Sequence, residues 1–292
     1  MSFTIMTDTA ANLSLELLTA NGIVAIPMSY SMHDADFLCG VPDDFDDVAY
    51  YSGIKRGALV STSQVNPQRY MEYMKVALEN ECDVLFIGLS SGISGSFASA
   101  NVARDELLEQ YPDRAIELVD SIGASLGEGL LVLRAARYRD EGLDIHETAR
   151  KITALRKNIY QYFFVDDLIH LKRTGRISGG LAIVGSVLGI KPLLKGNENG
   201  KIVVCGKARG RKRAIQMLVE QYARLVKDAG SQIIGISHAN CPEDAAYLAE
   251  QIRDVMPPKG IILQKHEPVT GSHLGPGALA LYFEGDENVR LM

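Results

Sequence analysis

Short apolar runs alternate with longer amphipathic segments along most of the chain, and this alternation limits the possible folds more than any other feature. Each run has the length of a β-strand, and most are separated by a segment of helical length. Continuous apolar runs between helices are typical of strands buried in a mostly parallel sheet. The pattern therefore predicts an α/β fold with helices flanking its sheets. The predicted strands cover residues 3–6, 23–28, 84–87, 116–119, 162–165, 202–205, 233–236 and 261–264.

Capping residues mark the ends of several predicted helices. Asn66 and Pro67 have the form of an N-cap and a first helical residue, which predicts a helix that runs to about residue 80. Gly142 is placed to end a helix over residues 129–141. Residues 211–228 carry apolar side chains at i, i+3 and i+4, the spacing of an amphipathic helix.

Chain length and the spacing of these elements predict two domains. The chain has 292 residues, about twice the length of a typical domain. A charged helix predicted over residues 145–158 is followed by a new strand, and the boundary is placed between them. We therefore expect an N-terminal α/β domain at residues 1–158 and a C-terminal α/β domain at residues 159–292.

The composition of the chain and the absence of certain motifs argue against several classes of partner and site. The net charge of −6 argues against nucleic-acid binding, because phosphate contacts need a surplus of Lys and Arg. The four cysteines are widely spaced and no H-E-x-x-H motif occurs, so we expect neither a metal nor another cofactor. No apolar run approaches the ~20 residues that span a bilayer, and no signal-like segment precedes the first strand. These observations predict a cytoplasmic protein without a transmembrane segment.

A Ser- and Gly-rich loop at residues 88–96 connects a predicted strand to a predicted helix. Ligands of open α/β sheets bind at the carboxyl ends of strands, where the N–H groups of the next helix favour an anion. Nucleotide-phosphate motifs are absent from the loop, and it contains no lysine. Hydroxyl and backbone N–H groups suffice for a carboxylate, which is the anion that we expect. In the alternative interpretation, the serines only cap the helix.

Two further polar loops have a structural and a functional interpretation. The loop at residues 60–65, which contains Thr62, either extends the helix cap at Asn66 or takes part in binding. The loop at residues 270–277 contains three glycines and His273, and a lone histidine is more often structural than functional.

Eight motifs, in the same order along residues 3–280, resemble those of the DegV family. The opening motif departs from the family pattern at Thr9 and Asn12, and Val65 stands where the family has proline. The matching segments are Thr7-Asp8-Thr9-Ala10-Ala11-Asn12 (T-D-S-T-A-D), Thr62-Ser63-Gln64 (T-S-Q-P), residues 90–96 (S-S-G-x-S-G-T/S), Val119-Asp120-Ser121 (V-I/V-D-S), residues 171–178 (L-K-R/K-G-G-R-I-S), Ile190-Lys191-Pro192-Leu193 (I-K-P-I/L), residues 209–214 (R-G-R/K-K-K-A) and residues 271–278 (G-T/S-H-x-G-P-G-A).

The resemblance implies a bacterial lipid carrier that buries one acyl chain between two α/β domains and performs no chemistry on it. The implied ligand is a long-chain fatty acid such as palmitate, stearate or oleate. Family residues that contact the carboxylate correspond to Thr62, Ser94 and Gly95, with His273 in their hydrogen-bond network and Arg209 as a nearby cation. The resemblance also implies a partner, a fatty acid kinase that makes acyl phosphate for phospholipid synthesis.

Two segments in the second half of the chain have expected roles in docking the kinase and in lining the acyl tunnel. Lys172, Arg173 and Arg176 form a local positive patch in an acidic chain, which predicts a docking surface for the kinase. Alternatively, these cations belong to a solvated helix end. The apolar and Gly-rich residues 177–190 line the acyl tunnel or form an ordinary core helix, and the sequence does not distinguish the two.

The alternative functional hypothesis is a serine hydrolase. Residues 88–92 match the G-x-S-x-G nucleophile motif around Ser90, and His273 follows in the expected order. However, the loop continues as far as Gly95 instead of entering a helix directly after the serine. The chain also lacks the His-Gly-Gly-Gly segment that completes an oxyanion hole in many esterases.

Overall fold

The computed structural model describes residues 3–42, 45–177, 189–286 and 290–291. Within this part of the chain, every predicted strand is present, which confirms the α/β class. The strands are β1 (Phe3–Asp8), β2 (Ile23–Ile26), β3 (Ser29–Met32), β4 (Ala35–Leu38), β5 (Val60–Ser63), β6 (Asp83–Gly88), β7 (Ile116–Asp120), β8 (Ile159–Phe164), β9 (Ile190–Gly196), β10 (Ile202–Arg209), β11 (Ile233–His238), β12 (Gly260–Lys265) and β13 (Leu279–Glu284). The helices are α1 (Leu15–Ala20), α2 (Asp47–Lys55), α3 (Pro67–Glu79), α4 (Ser96–Gln110), α5 (Leu126–Asp140), α6 (Ile145–Leu155), α7 (Ile169–Arg173), α8 (Arg211–Leu225), α9 (Pro242–Val255) and α10 (Pro268–Leu274).

The first half of the chain forms a four-stranded parallel sheet in the order β2-β1-β6-β7. Its central strand β6 is buried at every position, because α3 and α4 cover one face of the sheet and α5 covers the other. All four strands run in the same direction, so the loops that follow β1, β6 and β7 meet at one edge. The Ser/Gly loop predicted as a binding site lies at this edge.

The second half forms a six-stranded sheet in the order β10-β9-β8-β13-β11-β12. Among its described strands only β11 and β12 pair in parallel, so this sheet contains more antiparallel pairs than the apolar runs indicate. A continuous apolar run indicates that both faces of a strand are buried, but it does not indicate whether the strand is parallel or antiparallel to its neighbours. One face packs on α8 and α9, while α5 packs between the other face and the parallel sheet.

A small antiparallel sheet, in the order β4-β3-β5, was not predicted. Strand β4 is exposed at every position and β3 is half-buried, so neither has the apolar run on which strand prediction depends. The small sheet matters for the site because β5 carries Thr62.

Local capping signals are confirmed. The Asn66 side chain accepts a hydrogen bond from the N–H of Arg69, and Pro67 is the first residue of α3. Gly142 follows Glu141, the C-cap of α5, and adopts a φ of 91°, a conformation that glycine tolerates best. Helix α5 begins at Leu126, a few residues before the predicted start.

The strands of the six-stranded sheet come from residues 159–284, and those of the other two sheets from residues 3–120. The split into domains at residues 158 and 159 stays a prediction. The proposed tunnel segment at residues 177–190 falls mostly on residues 178–188, which lie outside the described residues. None of the described helices is long and apolar enough to cross a membrane.

Candidate functional site

A cavity of about 260 Å³ lies between the carboxyl edge of the parallel sheet and one face of the six-stranded sheet. Thr62, Ser94, Gly95 and His273, all predicted to bind the ligand, lie on its wall. They come from a strand, the loop before α4 and a helix, which the fold brings together. The wall is polar at these residues and apolar over much of the rest. Its apolar side chains include Met28, Leu89, Ile93, Ile122, Phe163, Ile202, Val269 and Leu274.

Ser94 and Gly95 stand at the start of α4. The Ser94 hydroxyl donates to Ser96 Oγ at 3.0 Å and accepts from the Ser96 N–H at 3.2 Å. Gly95 is the N-cap of the helix and makes no side-chain cap. The Ser96 N–H donates to Ser94 and the Ala98 N–H to the Gly95 carbonyl, so within the described residues the N–H groups of Gly95 and Phe97 are left for a ligand. A Cβ atom at Gly95 would lie 2.0 Å from Gln64 Oε1, and glycine therefore lets the two polar loops approach each other.

Thr62 on β5 and His273 on α10 form a polar pair, with 3.0 Å between Thr62 Oγ1 and His273 Nε2. Burial, and then the positive charges of Arg176 and Arg173, lower the pKa of His273 to about 4, so its imidazole is neutral near pH 7. The other ring nitrogen, Nδ1, has no hydrogen-bond partner among the described residues. In one tautomer Nδ1 carries a hydrogen, and in the other the Thr62 hydroxyl hydrogen is free. Either way, the pair can donate one hydrogen bond to an anion.

Arg176 supplies the cation on this wall. Its Nε donates to the carbonyl of Ile93 at 3.3 Å, which places the guanidinium beside the Ser94 loop. Arg209, the cation that the family resemblance suggested, is exposed on β10 and is not among the residues lining the cavity. Sequence reasoning placed Arg176 with the docking patch. The remaining residues of that patch, Lys172 and Arg173, are exposed at the end of α7.

The Ser90 side chain makes hydrogen bonds to backbone groups of two loops. Its buried hydroxyl donates to the carbonyl of Gly200 at 2.9 Å and accepts from the N–H of Gly92 at 3.1 Å. His273 uses Nε2 for Thr62, and no hydrogen bond joins Ser90 to a histidine within the described ranges. Ser90 therefore ties the Ser/Gly loop to the turn between β9 and β10. This geometry gives the serine hydrolase hypothesis no general base.

The wall also carries polar residues that sequence reasoning missed, among them Ser125, Gln161, His266 and Tyr282. They come from four separate places in the chain, and no short motif links them. Described residues contain no cluster of three or more His, Cys, Asp or Glu able to hold a metal ion.

Acid should destabilise the fold partly through His273. The unfolded residue titrates at its ordinary value of 6.5, whereas the folded one has a pKa of about 4. Between these values the unfolded chain binds a proton that the folded chain does not, so stability is lost as pH falls. The loss is at most about 1.4 kcal/mol per unit of pKa difference.

Urea unfolding of the native protein and of His273→Gln, at about pH 7 and about pH 5, measures this loss. We expect the substitution to cost less stability at the lower pH. His266, whose pKa burial lowers to about 3, contributes equally to both proteins and cancels in the comparison. An identical cost at the two pH values would show that the pKa of His273 is the same in the native and unfolded states, and a larger cost at the lower pH would show that folding raises it.

Comparisons with known proteins agree with this architecture. The profile of the family described as "Uncharacterised protein, DegV family" matches residues 2–286. A DegV domain-containing protein of Clostridium perfringens is 37% identical over 284 residues, which is 97% of this chain and 98% of that protein.

Two solved structures are also similar. One, described as showing fatty acid binding of a DegV family protein from Thermus thermophilus, has a TM-score of 0.89 and 27% identity. The match covers 98% of this chain and 100% of that one. The other, described as DegV, a fatty acid binding protein from Bacillus subtilis, has a TM-score of 0.83 and 30% identity, with 98% and 100% covered. By sequence over nearly its whole length, this chain belongs to the DegV family.

Proposed function

We propose that this protein binds one long-chain fatty acid in the cavity and leaves it chemically unchanged. The observation that carries the proposal is one cavity wall with two different parts. Thr62, Ser94, Gly95, Arg176 and His273, which we call the head-group site, offer hydroxyl, backbone N–H and guanidinium donors. Away from this site the wall carries apolar side chains, among them Phe163 and Ile202, together with a separate group of polar ones. The fatty acid binding described for the relatives from Thermus thermophilus and Bacillus subtilis supports the same ligand class.

The energetics suit such a ligand. Burial of about a dozen methylene groups at ~0.8 kcal/mol each supplies roughly 10 kcal/mol of gross driving force. A hydrogen bond to a charged group adds about 1.5–3 kcal/mol. The acyl chain therefore provides most of the affinity, while the head-group site sets the orientation. Palmitate, stearate and oleate all have this form.

A binding role without turnover fits the environment of Ser90 as well. A nucleophilic serine needs a base within hydrogen-bond reach and an open approach to the substrate. The Ser90 hydroxyl is instead buried and bonded to the Gly200 carbonyl. We therefore expect no esterase activity from this chain.

We further propose that the bound acid is presented to a fatty acid kinase, which converts it to acyl phosphate for phospholipid synthesis in the cytoplasm. A surface groove is lined by Thr62, Arg176 and His273 of the head-group site and also by the exposed Arg173. A partner that docks at Arg173 would therefore stand at the opening beside the carboxylate. In a chain of net charge −6, this local positive patch can steer an acidic partner.

Arg173→Ala tests the docking proposal. The variant should retain the fatty acid affinity of the native protein but slow acyl phosphate formation about tenfold when mixed with kinase and ATP, since close charge pairs at interfaces often contribute more than 1 kcal/mol. Added salt should shrink the difference. Arg253→Ala, an exposed position on α9, is the matched control and should behave like the native protein. Equal losses of lipid affinity and kinase turnover in Arg173→Ala would place Arg173 in the lipid site and refute docking.

A further inference from the structure

Five buried side chains form a second polar group at the cavity, separate from the head-group site. All but Ser237 line the cavity wall, and their oxygen and nitrogen atoms lie within hydrogen-bond distance of one another. His266 is central, with Nε2 at 3.0 Å from Ser237 Oγ and Nδ1 at 3.3 Å from both Ser125 and Thr270. Ser237 also lies 3.1 Å from Tyr282 Oη and 3.3 Å from Ser125 Oγ. We call this group the His266 cluster: Ser125, Ser237, His266, Thr270 and Tyr282.

The number of free donors in the His266 cluster depends on the tautomer of its histidine. Burial lowers the pKa of His266 to about 3, so the ring is neutral and has one N–H and one nitrogen lone pair. If Nε2 carries the hydrogen, Nδ1 accepts from Thr270, and the other hydroxyl groups can all donate to one another because Tyr282 contacts both Ser125 and Ser237. If Nδ1 carries it, the Thr270 hydroxyl hydrogen has no acceptor within the cluster. In this second tautomer the Thr270 hydroxyl is free to donate to a ligand.

Gln161 has an unused donor beside the cluster in both tautomers. It lies directly opposite Tyr282 in the pairing of β8 with β13, and its side chain lines the same cavity with only 7% exposed. The N–H of Ala124 donates to Gln161 Oε1 at 3.2 Å, which fixes the orientation of the amide. Nε2 is left buried and has no partner in the described part of the chain. Leaving a buried donor unpaired costs roughly 1–3 kcal/mol.

We propose that Gln161 and the His266 cluster recognise an oxygen carried on the acyl chain, so that the ligands of this protein include hydroxylated fatty acids. This inference rests on the proposed function and assigns it a ligand class. Gln161 and Thr270 both line the cavity, and a hydroxyl oxygen can accept from the Gln161 amide and, in the second tautomer, from the Thr270 hydroxyl. Thr270 precedes His273 by three residues on α10, about one helical turn, so the cluster lies one turn along the helix from the head-group site.

Calorimetric titration of the native, delipidated protein with stearate and with monohydroxystearates tests the proposal. The hydroxystearates should differ only in the position of the hydroxyl. In a tunnel without donors, each buried hydroxyl would weaken binding roughly 10- to 100-fold relative to stearate. Here one position should bind at least as tightly as stearate. Uniformly weaker binding at every position would refute the inference, whereas failure to bind stearate as well would refute the proposed function.

Two variants locate the effect. Gln161→Leu and Thr270→Val should each lower the affinity for the preferred hydroxystearate about tenfold, and leave that for stearate unchanged or improved. Thr148→Val on α6 is the matched control, because its hydroxyl is also buried and unpartnered within the described residues but lies outside the cavity. An unchanged preference in both variants would also contradict the assignment, and the titration of the native protein does not depend on either variant folding.

Discussion

Replacing Arg176 with Met should weaken the binding of a long-chain fatty acid about 10- to 100-fold, because a hydrogen bond to a charged group contributes ~1.5–3 kcal/mol. Met keeps much of the apolar stem of Arg and removes the charge. The neighbouring Arg173 is exposed and does not line the cavity, so Arg173→Met should leave the affinity within about twofold. The two substitutions remove the same charge three positions apart, which makes them a matched pair.

Binding of a fatty alcohol of equal length shows whether Arg176→Met loses affinity because the contact with the carboxylate is gone or because the fold is damaged. Arg176 also donates hydrogen bonds to the carbonyls of Ile93 and Thr174, so its removal could loosen the loop as well. A folded Arg176→Met should bind the alcohol nearly as well as the native protein does. Equal weakening by Arg173→Met and Arg176→Met, or equal loss of acid and alcohol, would contradict the placement of the carboxylate beside Arg176.

The double substitution Thr62→Val with Ser94→Ala should weaken fatty acid binding about 100-fold, if each hydroxyl contributes ~1.5 kcal/mol to the carboxylate. The fatty alcohol should lose much less, since hydrogen bonds between neutral groups contribute only about 0.5–1.5 kcal/mol. Calorimetry on both ligands measures the two losses.

Thr153→Val on the exposed side of α6 is a control that should change neither affinity. Thermal unfolding of the double variant should remain cooperative, because valine and alanine fit the space of the residues that they replace. If acid and alcohol respond identically to the double substitution, Thr62 and Ser94 do not hold the head group.

Elements whose signals are local were predicted well from the sequence. A continuous apolar run predicts a buried strand such as β6. The capping pair Asn66 and Pro67 predicts the start of α3. The strands β3 and β4 were not predicted, because they are half-buried or exposed and therefore lack an apolar run. They are held by pairing with each other and, for β3, with β5. The direction of the strands in the six-stranded sheet could not be predicted from the sequence either, because it depends on contacts between distant segments.

The same distinction applies to the site. Thr62 and Ser94 belong to the segments that the sequence predicts as polar loops, where a ligand is expected, although the structure places Thr62 on β5. Arg176 and Arg209 both occur in basic motifs, and only the fold places Arg176 on the cavity wall and leaves Arg209 exposed. The His266 cluster draws on five positions spread from residue 125 to residue 282, so no spacing rule could assemble it.

Organic extraction of the purified protein, followed by mass spectrometry, tests the central claim most directly. We expect close to one intact long-chain fatty acid for each chain, and the delipidated protein should take up added fatty acid to the same ratio. The Ser90 hydroxyl should remain unlabelled by a fluorophosphonate probe, because it is buried and bonded to Gly200. An extract without fatty acid from a protein that also fails to take one up, or stoichiometric labelling that disappears in Ser90→Ala, would contradict the account.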